Sequence, residues 1–151
     1  MSTADRSARL EALRAAAAGG LVGLLGIDVD GDDLPTVVAR MRVEPRLMAP
    51  NGFLHGGSIV ALADTACGFG CWLTLPDDAP GFTTVELKTN FVGAPTAGIL
   101  RCTARLVHPG RTTQVWDAEV DREDGRAVAL FRCTQLLLDA SGPPRPMLQV
   151  G

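Results

Sequence analysis

Residues 55–75, HGGSIVALADTACGFGCWLTL, decide the fold. Behind His-Gly-Gly the segment stays apolar for about five helical turns, too long for a strand, and reads as one helix over about residues 56–75. Its apolar residues do not keep to one stripe, so the helix has to be covered on nearly all faces. Near its middle stands a single charge, Asp64, amid Ile59, Val60, Leu62, Ala63, Ala66 and Cys67. Burying a carboxylate without a partner costs on the order of several kcal/mol, so such a residue is kept either for a hydrogen-bond network or for function. Partial burial would raise its pKa and leave a competent base or nucleophile in a poorly hydrated site, and the functional reading is preferred. Asp64 and the internal glycines mark the segment as protein core and not a bilayer span.

Upstream, LMAPNGFL (47–54) supplies the turn residues Pro50, Asn51 and Gly52 that deliver the chain to His55, and TVVARMRVEP (36–45) alternates as a strand with one wet face. Residues 7–18 predict a short amphipathic helix at the periphery, stopped by Gly19-Gly20, and residues 21–35 a short strand and an Asp-Gly turn. Downstream, PDDAPG (76–81) breaks the long helix. Four β-rich segments follow, Thr83 to Val92, Ile99 to Val107, Thr112 to Asp121 and Arg126 to Leu138, parted by GAPTAG, HPGR and REDG. With no second helix between them they predict an antiparallel meander. The economical solution is an α+β hotdog fold, one curved antiparallel sheet wrapped around the central helix, with a short N-terminal helix added. The expected organisation is a peripheral helix over 1–20, one domain over 21–140 and a tail over 141–151. Exposed strand edges and an open face would favour pairing with a second copy.

The chain has 151 residues, 46% of them hydrophobic and 21% charged, with a net charge of −3. That is enough for one globular domain, and the scattered cations give no reason to expect nucleic acid or an anionic membrane as partner. Cys67, Cys71, Cys102 and Cys133 form no C-x-x-C pair, and with only His55 and His108 available the ligand spacing of a zinc site is missing. They read as buried free thiols in a reducing cytoplasm. The charged N-terminal residues do not read as a signal peptide.

The HGGS motif carries the second piece of chemistry. Glycines at a helix entrance leave the first N–H groups unobstructed, and with the helix dipole these bind a developing oxyanion. The alternative is a tight helix start capped by Ser58. Gly56 and Asp64 are eight residues apart, or about 12 Å along the axis, whereas catalytic groups act within about 3 Å of a reacting atom. If both serve one site, they come from different subunits, and a two-fold pair of antiparallel helices provides two such sites.

NGFLHGGSIVALADTA, with FTTVELKTNF and HPGRTTQVWDAEV...GRAVALFRCTQ behind it, resembles the hotdog-fold acyl-CoA thioesterases, in particular the phenylacetyl-CoA thioesterase (PaaI-like) branch of the 4-hydroxybenzoyl-CoA thioesterase superfamily, over roughly residues 20 to 138. The resemblance implies hydrolysis of an acyl-CoA, aryl or aliphatic, without metal or organic cofactor, in a cytoplasmic homodimer that pairs further into a homotetramer. It places the nucleophile or general base on Asp64, the oxyanion N–H on Gly56, a positioning role on His55 and an orienting hydroxyl on Thr84. Gly57, Thr83 and Arg111 are the further substrate-binding candidates, Arg111 for the coenzyme A phosphates. In the relatives an Asn or Gln lies six residues before the motif His; that position here is Ala49, and Asn51 is the candidate substitute. Strand alternation lets only one of Thr83 and Thr84 face the site, and Trp72 and Trp116 are read as core or interface residues. Two rivals stand beside this reading: a hotdog hydratase or dehydratase, against which the His-Gly-Gly context argues, and an acyl-CoA-binding module, which would not need a buried Asp64.

Overall fold

The computed structural model describes residues 3–31 and 33–139. Helix α1 spans Thr3–Ala17 and a one-turn helix α2 spans Leu21–Leu24; strands β1 (Asp28–Asp30) and β2 (Thr36–Arg42) follow. A 3-10 turn at Pro45–Leu47 leads to the central helix α3 (Gly56–Leu73), and then come β3 (Phe82–Phe91), β4 (Ile99–Pro109), β5 (Thr113–Arg122) and β6 (Ala127–Leu137). All strand pairs are antiparallel, in the order β1-β2-β4-β5-β6-β3. The inner face of this sheet packs on α3 chiefly through β2, β4, β5 and β6, which is the hotdog arrangement.

Each long strand alternates because only one of its faces meets the helix. Ala39, Cys102, Val120 and Ala129 lie side by side in register and are all buried. The closest approach of helix to sheet is at Gly70, where an added Cβ would come within 2.4 Å of the Trp116 ring. Trp116 cannot yield easily, because it is fully buried and its Nε1 donates to Gln114 Oε1 at 2.9 Å. Gly70→Ala is therefore expected to cost about 1–3 kcal/mol by overpacking, lowering Tm by several degrees in a calorimetric melt.

The structure corrects the sequence reading at several points. Only β4, β5 and β6 form a meander: β3 pairs with β6 at the edge, and the place beside β4 is taken by β2. Residues 92–98 join β3 to β4, yet β5 and β6 lie between the two in the sheet. The helix α1 is not merely peripheral, since Leu10 is only 2% exposed within the core and approaches Gly31. The short α2 went unread because four residues carry no periodicity. The central helix ends at Leu73, where the Thr74 hydroxyl donates to the Gly70 carbonyl at 2.8 Å. The expected tail, 141–151, lies outside the described residues.

One face of α3 is not covered by its own sheet. Gly57, Val60, Ala61, Asp64, Thr65, Gly68 and Trp72 recur at three- and four-residue spacing and stay partly exposed, which defines a single stripe along the helix. The inner face of β3 overhangs it, with Leu87 42% and Phe91 51% exposed. All four cysteines are free and buried.

Candidate functional site

The entrance to α3 is fixed on both sides. Leu54 N donates to Pro95 O at 2.9 Å and His55 N to Leu47 O at 3.0 Å. His55 has extended backbone angles, as a helix cap requires, and its Nδ1 accepts the Gly57 N–H at 2.8 Å. The cap is thus His55, not Ser58, whose hydroxyl instead donates to Leu47 O at 3.3 Å. Acceptance at Nδ1 places the proton of the neutral ring on Nε2. A Cβ on Gly57 would sit 2.9 Å from Nδ1, so the cap itself demands glycine there. Because the cap takes the Gly57 N–H, the Gly56 N–H is the donor left facing out of the helix start. The Phe91 ring lies over it, 3.0 Å from where a Gly56 Cβ would be.

Asp64 lies two turns along on the open stripe. Burial is the first cause acting on its carboxyl and pushes the pKa up. Thr84 reaches it from β3, Oγ1 to Oδ1 at 3.5 Å, while the same Oγ1 is 2.8 Å from Gln135 Oε1 on β6. The exposed Thr83 points to the opposite face of β3. Gln135, fully buried, escaped the sequence reading; a glutamine at an inward position of a strand that is otherwise apolar on that face is the signal that would have found it.

The other candidates are not gathered here. Asn51 Oδ1 accepts the Phe53 N–H at 3.2 Å, closing its own turn, which the Ala49 N to Phe53 O bond at 2.8 Å also ties. Arg111 borders a hollow of about 310 Å³ with Pro76 and Asp78, at the opposite end of α3 from His55. Beside His55 there is instead a hollow of about 420 Å³ walled by Leu24, Leu25, Leu47 and Met48, with Arg46 as its cation. Leu24 belongs to the helix α2 that was missed.

A curved antiparallel sheet around one helix, with a glycine N–H at the helix start and a carboxylate eight residues on, defines the class of hotdog enzymes that cleave thioesters. The chain matches the family described as the thioesterase superfamily over residues 51–129. A putative esterase of Pseudomonas aeruginosa is 30% identical over 142 residues, 94% of this chain and 98% of that protein. The 1,4-dihydroxy-2-naphthoyl-CoA hydrolase of Escherichia coli is 34% identical over 135 residues, covering 88% and 97%. Among solved structures, the PaaI protein of the E. coli phenylacetic acid degradation operon superposes with a TM-score of 0.79 at 26% identity, over 90% of this chain and 95% of that one. The chain belongs to the thioesterase superfamily, in its PaaI-like branch, and is a thioester hydrolase.

Proposed function

We propose that this thioesterase hydrolyses an acyl-CoA at two equivalent sites, each built across a homodimer interface. The Gly56 N–H of one subunit receives the thioester carbonyl oxygen, with the α3 dipole behind it. Asp64 of the other subunit supplies the oxygen nucleophile, either directly or by taking a proton from water. The carbon–sulfur bond then breaks, coenzyme A leaves as the thiol, and water provides the oxygen and proton that complete the acid. Thr84 borders the carboxyl, and His55 holds the helix start and turns Nε2–H outward. The apolar hollow beside His55 suits an aryl or aliphatic acyl group. Gly57, Arg111 and Asn51 remain candidates for substrate contact, Arg111 for the coenzyme A phosphates, whereas Thr83, turned to the opposite face of β3, does not.

The observation that carries this reading is the position of Asp64, on the one stripe of α3 left open by its own sheet and about 12 Å from the Gly56 donor. The uncovered Leu87 and Phe91 on the edge strand β3 favour a second copy as the cover. Dimers are further proposed to pair into tetramers through the outer sheet face, where Leu130 and Leu136 are exposed. The buried free thiols favour the reducing cytoplasm as its compartment.

The test is thiol release from aryl, short-, medium- and long-chain acyl-CoAs. Turnover of at least one class with kcat/KM of about 10⁴ M⁻¹s⁻¹ or more is expected, and tight binding of every class without release would overturn the reading in favour of a binding module.

A further inference from the structure

Gln135 has no part in the hydrolysis as derived above and no contact with solvent, yet its carboxamide lies between the active-site hydroxyl and a buried thiol. We propose that Gln135 is a positioning residue that holds the Thr84 hydroxyl proton away from Asp64, so that Thr84 presents a lone pair to the carboxyl. The proposal rests on the reading of Asp64 as the working carboxylate.

A threonine hydroxyl has one proton to give. Thr84 Oγ1 is 2.8 Å from Gln135 Oε1 and 3.5 Å from Asp64 Oδ1. The first distance is the centre of the O–H···O range and the second lies beyond it, so the proton goes to Gln135. The far end of the amide keeps this orientation: Nε2 donates to Cys133 Sγ at 3.3 Å. The same sulfur is hydrogen-bonded to Cys67, whose thiol pKa is pushed well up, first by that bond and then by burial. With sulfur as the acceptor, the amide oxygen is turned towards Thr84. A reversed amide would bring Nε2 to Thr84 and release the hydroxyl proton to the carboxylate.

The consequence falls on the two states of Asp64. Ionised, it receives no proton from that side; protonated, it faces a Thr84 lone pair and not a competing proton. The arrangement therefore favours a more basic carboxylate, in the same direction as burial. The other titratable groups on this side are thiols: Cys67 on α3, Cys133 on β6 and, behind them, Cys102 on β4, whose pKa burial pushes up to about 12. Glu86 and Lys88 of β3 sit in register with Thr134 and Arg132 on the outer face. In the proposed dimer, His55 of the second copy faces the carboxyl from the open side.

The experiment is a carbon-13 NMR titration of the Asp64 carboxyl in the full-length protein, in the wild type, Gln135→Met, Thr84→Val and the double variant. Gln135→Met frees the Thr84 proton for the carboxylate and is expected to move the Asp64 midpoint to lower pH by about half a unit or more, a typical effect of one added hydrogen bond to the charged form. In the Thr84→Val background the same substitution should be silent. Thr84→Val alone should leave the midpoint in place or lower it. A rise with Thr84→Val, or an unchanged or raised midpoint with Gln135→Met, overturns the proposal. Should Gln135→Met not fold, the Thr84→Val titration decides by itself. No substrate enters the measurement, so failure here is distinct from failure in the acyl-CoA screen.

Discussion

Asp64→Asn is expected to lower kcat by about 10³-fold or more while preserving the fold, because the amide fills the same space but can neither attack a carbonyl nor accept a proton from water. The same variant should be more stable than the wild type at neutral pH. Burial raises the folded-state pKa of Asp64 above its unfolded value, so the native protein binds that proton more tightly than the unfolded chain. The contribution of such a group to stability is fully present below the ordinary carboxyl range and is lost as the pH rises through the folded-state value. At pH 7 ionising the carboxyl costs the native state more than the unfolded chain, a cost that asparagine lacks; below about pH 4, near the ordinary carboxyl pKa, the advantage of asparagine disappears. Thiol-release kinetics and thermal melts at both pH values check the two halves separately. A mutant with wild-type kcat would remove Asp64 from the chemistry, and a loss of stability at pH 7 would make it a structural residue.

The second large effect follows from the proposed division of the site between two chains. Gly56 is the first residue of α3, where proline is favoured in helices, and His55 before it has φ −63 and ψ 132, values compatible with a following proline. Gly56→Pro therefore removes the oxyanion donor with little harm to the helix, beyond a small shift of the Phe91 ring. It is expected to lower kcat by about 10²–10³-fold. Co-expression of Gly56→Pro with Asp64→Asn should restore activity: a mixed dimer has one site with both defects and one with neither. If chains pair at random, half of the dimers are mixed and each has one working site, so about a quarter of wild-type activity returns. If the two residues served a site within one chain, every site would carry a defect and the mixture would stay as inactive as its parents.

Much of this architecture was legible before any coordinates. The helix announced itself through the length and apolarity of residues 56–75, two residues beyond its observed end at Leu73, and β4, β5 and β6 through alternation between Gly- and Pro-rich turns. The placement of β3 beyond β6 was not legible, because which strand β3 pairs with is a long-range choice that local pattern does not encode. Asp64 and Gly56 stand out as candidates in the sequence because each breaks the rule of its surroundings, a charge in a core helix and glycines at a helix start. The cap could not: a histidine ring accepting the N–H two residues on is a matter of side-chain geometry, and serine two positions later looked the better candidate. Gln135 stayed hidden because a single polar letter in LFRCTQLLL does not reveal which face it takes until the register with Thr84 is known.

That register has a further meaning. Thr84, Gln135 and Gln114 lie side by side across β3, β6 and β5, and Gln114 in turn accepts from Trp116 and lies within hydrogen-bonding distance of Thr74 at the end of α3. A slip of β6 by one residue would send Gln135 into solvent and leave Thr84 facing Thr134 or Leu136. The neighbouring amide row would lose its continuity, and the apolar face of β6 would invert with it. Buried amides that are satisfied in one alignment only act against misregistered sheets during folding, so the seam that begins beside Asp64 also selects the native strand pairing.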